Sequence, residues 1–332
     1  MKKIELKYDD IRLRIICDEY IEYLIKKHFL NHINFEKTNK EATYTLIISG
    51  NISTVSGNYH KMFDKWFDNA TLDCFIDNKN KICYATNFHA SNEKYKNLLI
   101  QYFVANVFNR FLEINGYLGI HSSCVEMNRH GVLFVAGRNS GKTICMLNMM
   151  NAGFNIVTND KIALKNINNE LIGYGIAQSV SIRLSPQFCA QPENQKYIEL
   201  AKSRGIKIKN KNMLEGNNLI LSDNEVAIIN NVRQVYDTPI SCIVNPEYDP
   251  FVNKPIFDIL SENQILELFS SQYMSLVHDT TSFLREINGD KDLETINNLT
   301  LKKITNIPCY HCRQNEKTRE EFTNKVKKLI FK

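Results

Sequence analysis

One stretch of this chain decides its fold: Val132-Leu133-Phe134-Val135-Ala136-Gly137-Arg138-Asn139-Ser140-Gly141-Lys142-Thr143-Ile144. The four apolar residues predict a buried strand, the glycines predict a turn, and the residues after Gly141 predict an apolar helix. A strand, a glycine-containing turn and a helix in this order are typical of a P-loop, whose backbone N–H groups point at nucleotide phosphates. The stretch therefore predicts a site for a nucleoside triphosphate.

Each residue type in this turn has a chemical reason. Lys142 would reach the β- and γ-phosphates, which makes it both a binding and a catalytic candidate, and Thr143 would offer its hydroxyl to magnesium. Ala136 stands where the pattern more often has glycine, at a position that ends the strand and needs no close phosphate contact. We predict that the whole turn binds the nucleotide: Ala136, Gly137, Arg138, Asn139, Ser140, Gly141, Lys142 and Thr143.

A carboxylate follows the next predicted strand. Gly153 is a natural end for the helix, and residues 154–158 form an apolar strand that ends at Asn159-Asp160. An acid at such a strand end holds magnesium or orients the attacking nucleophile in P-loop enzymes, so Asp160 is the catalytic and metal candidate. The alternative is a simple turn residue, because Asn-Asp pairs favour turns.

The surrounding sequence predicts the domain organisation. Short strands at 4–6, 13–16, 44–48 and 72–76, with a helix over 18–29, predict a small α+β domain over residues 1–92. Phe63, Trp66 and Phe67 are predicted to pack in its core. A long helix over 93–114 predicts a bridge at 93–115, and residues 116–332 form the P-loop domain. That domain opens with a strand around 120–126 and a turn at 128–131, which predict a hairpin.

Composition excludes several classes of protein. The formal charge of +5 is spread along the chain, which argues against nucleic-acid binding. No window approaches 18 uninterrupted apolar residues, and the N-terminus has no signal-peptide pattern, so we expect no membrane partner. Nine scattered cysteines predict reduced thiols and a cytoplasmic protein. The oligomeric state stays open, a homo-oligomer included.

The motifs together resemble the kinase domain of HPr kinase/phosphorylase and the wider group of HPr-kinase-like enzymes, including those that modify lasso peptide precursors. In that family a His opens a strand hairpin fifteen residues ahead of the P-loop, and His121 precedes Ala136 by that interval. The run His121-Ser122-Ser123-Cys124-Val125 is similar to the family's His-small-small-x-Val run. The resemblance covers residues 118–164.

This resemblance implies an α/β fold with a P-loop of the phosphoenolpyruvate-carboxykinase type, ATP, Mg²⁺ and phosphorylation of a hydroxyl. The family usually has two aspartates at the strand end, the first a catalytic base, and Asn159 stands in that place here. Either Asp160 takes both roles, or His121 assists the transfer, or the chemistry is lost. For His121 the alternative is a buried histidine without a chemical role.

Other patterns in the sequence indicate functional residues less specifically. Cys309-Tyr310-His311-Cys312 would be half a zinc site, but no matching pair of ligands stands at a usual spacing. Arg183, in an apolar strand-like run, lies where the family places residues that face the nucleotide or the acceptor phosphate. Residues 202–217 are polar and predict a loop, in which Lys207, Lys209 and Lys211 would neutralise phosphates or form a solvated face.

The sequence is compatible with two functions. The first is an ATP- and Mg²⁺-dependent kinase for a serine-type hydroxyl of a peptide, carrier protein or small metabolite. The second is a nucleotide-binding accessory or sensor protein in a biosynthetic complex, with Asn159 marking a lost base. Asp160 discriminates between them, because a pure scaffold has no need of a magnesium-holding acid.

Overall fold

The computed structural model describes residues 1–8, 11–29, 44–49, 56–64, 69–176, 179–206, 218–287 and 293–331. The chain is mixed α/β with several sheets, and it divides into two units. The first unit comprises Met1–Leu118 and Ser275–Asn297, and the second comprises Gly119–Met274 and Asn298–Lys332. The P-loop and the strands around it belong to the second unit.

A six-stranded sheet with the strand order β1-β2-β3-β6-β5-β4 forms the described part of the first unit's framework. Its elements are β1 (Lys2–Tyr8), β2 (Ile11–Cys17), α1 (Glu19–Phe29), β3 (Tyr44–Ile48), β4 (Asn58–Asp64), β5 (Ala70–Asp77), β6 (Ile82–His89) and α2 (Glu93–Ile114). A 3-10 helix over Asp279–Glu286 also belongs to this unit.

Alternating burial confirms the strands predicted for this unit. In β2 every second side chain is buried, as the two-residue period of a strand requires. The predicted helices are confirmed as α1 and α2, and the Asn92 side chain caps α2 by accepting from the Tyr95 N–H at 3.0 Å. Phe63 is 51% exposed on the outer strand β4, so the prediction of core packing is wrong for it. Trp66 and Phe67 lie outside the described residues.

The second unit is built on a larger sheet with the path β10-β8-β9-β15-β12-β11-β7, and β17 joins β15 to β16. Its strands are β7 (Leu118–Ile120), β8 (Ser122–Met127), β9 (His130–Val135), β10 (Asn155–Thr158), β11 (Ile162–Ile167), β12 (Glu170–Gly175), β13 (Ser179–Arg183), β14 (Asn218–Ser222), β15 (Asp237–Tyr248), β16 (Ile256–Ile259) and β17 (Cys309–Gln314). Strands β13 and β14 form a separate two-stranded antiparallel sheet.

Helices accompany these strands in the order α3 (Lys142–Asn151), α4 (Pro186–Cys189), α5 (Gln195–Ser203), α6 (Asp223–Ile229), α7 (Glu262–Gln272), α8 (Leu293–Ile304) and α9 (Arg319–Ile330), with a 3-10 helix at Pro192–Asn194. The part of α8 up to Asn297 belongs to the first unit. Lys202 lies in the last turn of α5, so the predicted loop begins later than expected, and residues 207–217 lie outside the described part. Among the residues that the structure describes, no helix is long and apolar enough to cross a membrane.

The predicted hairpin before the P-loop is confirmed. Its two-residue turn, Asn128 and Arg129, has φ of 52° and 63°, the positive values that a tight type I′ turn needs. The strand predicted around 120–126 is, however, split at His121 into β7 and β8. The cause is a change of partner, because the His121 backbone N–H donates to the carbonyl of Gln272 at 2.9 Å.

The P-loop strand lies inside the sheet. β15 runs parallel to β9 on one side and to β17 on the other, so the carboxyl ends of β9, β15 and β17 point the same way. Helices α3 and α9 cover this part of the sheet, where Phe134 and Phe322 are fully buried with ring centroids 6.3 Å apart. The sheet and this core hold the P-loop turn at the carboxyl end of β9.

Candidate functional site

The turn after β9 leaves the start of α3 open to an anion. Gly141 precedes the helix with φ of 93°, a left-handed conformation that glycine adopts without strain, and no side chain caps the helix. The first turn of α3 has no acidic residue either. An ideal Cβ on Gly137 would meet no atom within 4 Å. Uncapped N–H groups beside open space form an anion-binding end.

Lys142 lies over the turn. Its Nζ donates to the carbonyl oxygens of Ala136 and Gly137, both at 2.8 Å, and the residue is 6% exposed. Burial lowers the pKa of Lys142, and the charge of Asp160 opposes that shift. The turn is closed further by Ser140, whose Oγ donates to the Gly137 carbonyl at 2.6 Å. The ammonium group is thus held against the turn that precedes α3.

Asn159 connects the P-loop helix to the end of β10. Its Oδ1 accepts from Ser123 Oγ at 2.8 Å and from Thr143 Oγ1 at 3.2 Å, and the residue is 1% exposed. Its Nδ2 is buried without a hydrogen-bond partner. The amide therefore positions the Thr143 hydroxyl, and it carries no negative charge.

Asp160 follows Asn159 at the same edge. It is half-buried and has φ of 64°, a left-handed conformation that Asp and Asn tolerate better than most residues. Its charge acts on both Lys142 and His121, which shows that the three side chains share one electrostatic environment. The structure thus places Asp160 and Asn159 at the same edge of the sheet as Lys142 and His121.

His121 is a neutral member of this group. The register of the hairpin pairs Ser122 with Val135, which places His121 opposite Ala136 at the start of the turn. Burial and then the charge of Lys142 lower the pKa of His121, while Asp160 and a hydrogen bond to Gln272 oppose the shift. Its imidazole is therefore uncharged at neutral pH.

Sequence reasoning missed two residues at this edge. Asp223, the first residue of α6, is 1% exposed, neither carboxylate oxygen has a hydrogen-bond partner, and burial followed by the charge of Asp160 raises its pKa well above the ordinary value. Gln314 ends β17, and its Nε2 lies 3.9 Å from where a Cβ of Gly141 would be. The run Ser222-Asp223-Asn224-Glu225 indicates a helix start, but burial of the acid has no sequence signal.

Other predicted residues lie elsewhere. Arg183 is exposed and pairs with Asn218, at the end of the β13–β14 sheet opposite to Ser222. Among the described residues, no hydrogen bond or ion pair joins it to the P-loop. Lys207, Lys209 and Lys211 lie outside the described residues.

The run Cys309-Tyr310-His311-Cys312 lies on β17. Cys309 and Cys312 are buried free thiols on β17, and burial raises the pKa of Cys309 to about 12. Within the described ranges, no three His, Cys, Asp or Glu side chains gather closely enough to hold a metal ion by themselves. A cation at the P-loop would therefore need further oxygen ligands, such as nucleotide phosphates.

Comparisons with known proteins add little to this geometry. No family model matches the chain, and no curated protein matches it. Among solved structures, the chain is similar to the HPr(Ser) kinase/phosphatase from Coxiella burnetii, with 13% identity over 64% of this chain and 93% of that chain, and a TM-score of 0.30. A likeness of this size decides neither the fold nor the activity.

Proposed function

We propose that the chain is an ATP- and Mg²⁺-dependent kinase that transfers a phosphoryl group to a serine-type hydroxyl of a peptide, a carrier protein or a small metabolite. One observation carries this proposal: the uncapped start of α3, with Lys142 on the turn, adjoins the strand end that bears Asp160. Anion-binding donors and a carboxylate at one place are what phosphoryl transfer requires.

The P-loop would bind the phosphates through its own donors. The backbone N–H groups after Gly141 are not capped by a side chain, and the residues from Gly137 to Asn139 are exposed. Lys142 would exchange its two carbonyl acceptors for phosphate oxygens, because a charged acceptor forms the stronger hydrogen bond. These contacts hold the triphosphate and neutralise part of its charge.

The residues present fit a magnesium ion. The Thr143 hydroxyl and the Asp160 carboxylate are oxygen ligands of the kind that Mg²⁺ prefers. When bound, the ion would neutralise charge on the phosphates during transfer. Asn159 would keep the Thr143 hydroxyl in place.

Two groups of the chain can take the proton of the acceptor hydroxyl. Asp160 is a carboxylate at the strand end, and His121 is a neutral imidazole under the influence of the same charges. The amide of Asn159 cannot accept this proton. Because phosphoryl transfer depends mainly on positioning and electrostatics, one such acceptor is enough for catalysis. We assign the role to Asp160, with His121 assisting.

The proposal is tested by measuring ADP formation from ATP in the presence of Mg²⁺. The assay is run with and without mixtures of serine-containing peptides, carrier proteins and small hydroxyl metabolites. We expect acceptor-dependent ADP formation together with acid-stable label from γ-labelled ATP. Asn159→Asp should keep or raise that rate, since it restores an acid at the strand end. If both proteins bind Mg²⁺ with ATP but form no ADP with any acceptor, the kinase proposal fails and a nucleotide-binding accessory protein remains.

A further inference from the structure

The carboxyl group of Asp223 is buried and forms no hydrogen bond with the described part of the chain. The start of α6 is capped by a reciprocal pair: Glu225 N–H donates to Ser222 Oγ at 3.2 Å, and Ser222 N–H donates to Glu225 Oε2 at 2.8 Å. Asp223 takes no part in this cap, and both of its carboxylate oxygens lack a partner. Because an unpaired buried acid destabilises a fold, its presence points to a ligand that the chain alone does not supply.

The topology brings this carboxyl group to the P-loop edge. Helix α6 packs on β10, and the chain that follows it returns along β10, where Gln234 forms a parallel bridge with Ile156. Helix α6 therefore runs antiparallel to β10, and its first residue lies at the end of β10 that continues into Asp160. The negative charge of Asp160 acts on Asp223, in agreement with this placement.

We propose that Asp223 supplies the second carboxylate of a divalent-cation site whose first carboxylate is Asp160, and that the Asp223 carboxyl group releases its proton to solvent when the cation binds. The site would take Mg²⁺ or Mn²⁺ together with nucleotide phosphates, and this inference rests on the proposed function. Asn159 provides no charge there, because it is a neutral amide whose oxygen is already engaged by Ser123 and Thr143. The acid that the strand end lacks thus comes from α6.

This role predicts that mutation of Asp223 changes the free energy of unfolding and the cation affinity in opposite directions. Replacing Asp223 by Asn or Leu removes an unpaired buried acid, so the free energy of unfolding without ligands should stay equal or rise. The same replacement removes half of the carboxylate charge, so the cation should bind more weakly. A carboxyl group with a purely structural role would show the reverse: lower stability and unchanged cation affinity.

The experiment measures Mn²⁺ binding to the full chain by electron paramagnetic resonance of free Mn²⁺, with and without a non-hydrolysable ATP analogue. We expect Asp223→Asn and Asp223→Leu to weaken Mn²⁺ binding about tenfold or more, in the range found when supporting groups of metal sites are removed. Urea unfolding of the same proteins without ligands should show no loss of stability. Two variants are used so that the test still stands when one of them does not fold.

Glu126→Gln is the matched control. Glu126 is also buried, at 7% exposure, and it pairs with Asn155 at the opposite end of β10. Its carboxylate accepts from Arg129 N–H at 2.7 Å and from Asn155 Nδ2 at 3.0 Å. We therefore expect Glu126→Gln to lose stability and to keep its Mn²⁺ affinity.

The outcomes separate this inference from the proposed function. If the wild-type protein binds Mn²⁺ with the analogue, and Asp223→Asn and Asp223→Leu bind it equally well, the role of Asp223 is overturned while the nucleotide site stands. If the wild-type protein binds neither Mn²⁺ nor the analogue, the proposed function fails and takes this inference with it. If Mn²⁺ binds without nucleotide and the Asp223 variants lose it, the cation site stands without the kinase.

Discussion

The two sides of the candidate site are built in different ways. The P-loop side, residues 132–144, comes from one uninterrupted stretch that ends β9 and begins α3. The acid side, Asn159, Asp160 and Asp223, is assembled from the end of β10 and the start of a helix distant in sequence. The first side consists of backbone N–H groups and one lysine, whereas the second consists of two carboxyl side chains and one amide. Binding of phosphate and the chemistry of transfer are thus expected to separate on mutation.

Asp160→Asn should give the largest effect and confine it to chemistry. The change leaves two neutral amides at the strand end, which removes the carboxylate base and part of the cation's charge partner. Turnover should fall about 10²–10⁴-fold, the usual contribution of a general base, while the P-loop still binds ATP. Rate and binding measurements on the same protein check this. Turnover at the wild-type rate would refute the assignment and direct the search to His121 or to the acceptor.

A pair of glycine substitutions should separate the two sides in stability. A Cβ on Gly175 would lie 2.3 Å from the carbonyl oxygen of Val157, in the strand that leads to Asp160. Gly175→Ala should therefore destabilise the protein by about 1–3 kcal/mol through overpacking. A Cβ on Gly137 meets nothing, so Gly137→Ala should keep wild-type stability while its methyl group obstructs the phosphate.

Urea unfolding and ATP binding of both glycine variants test this contrast. Equal unfolding midpoints for the wild-type protein and Gly175→Ala would show that β12 and β10 are less closely packed than described. Unimpaired ATP binding by Gly137→Ala would show that the open space beside the turn is not the phosphate site.

The smallest expected effect is a change in the pKa of His121, which reports on both sides. Because burial and Lys142 lower this pKa, the imidazole should titrate below its ordinary value of about 6.5. Lys142→Met should raise the pKa of His121, and Asp160→Asn should lower it further. The folded protein then binds the proton less well than the unfolded chain, so His121 costs stability as the pH falls through about 6.5.

Histidine NMR titrations, assigned with His121→Gln, measure these shifts. Opposite shifts in the two variants would confirm that His121 lies between the P-loop side and the acid side. A pKa that neither variant moves would place it outside the site.

The sequence predicts features whose cause is local. The helix over 93–114, the hairpin turn at Asn128-Arg129 and the glycine turn of the P-loop each depend on neighbouring residues, and the structure has all three. Asp223 and Gln314 could not be predicted, because their burial depends on how α6 and β17 pack. The break at His121 likewise depends on a distant carbonyl, that of Gln272.

We propose above all that the turn before α3 binds the outer phosphates of a nucleotide through Lys142. Calorimetry of ATP with Mg²⁺ and of AMP, on the wild-type protein and on Lys142→Ala, tests it most directly. Lys142 contacts only outer phosphates in this account, so Lys142→Ala should weaken ATP binding by about 1.5–3 kcal/mol, the range for a hydrogen bond to a charged group. Its AMP affinity should not change. An equal loss for ATP and AMP, or wild-type ATP affinity in Lys142→Ala, would contradict the account.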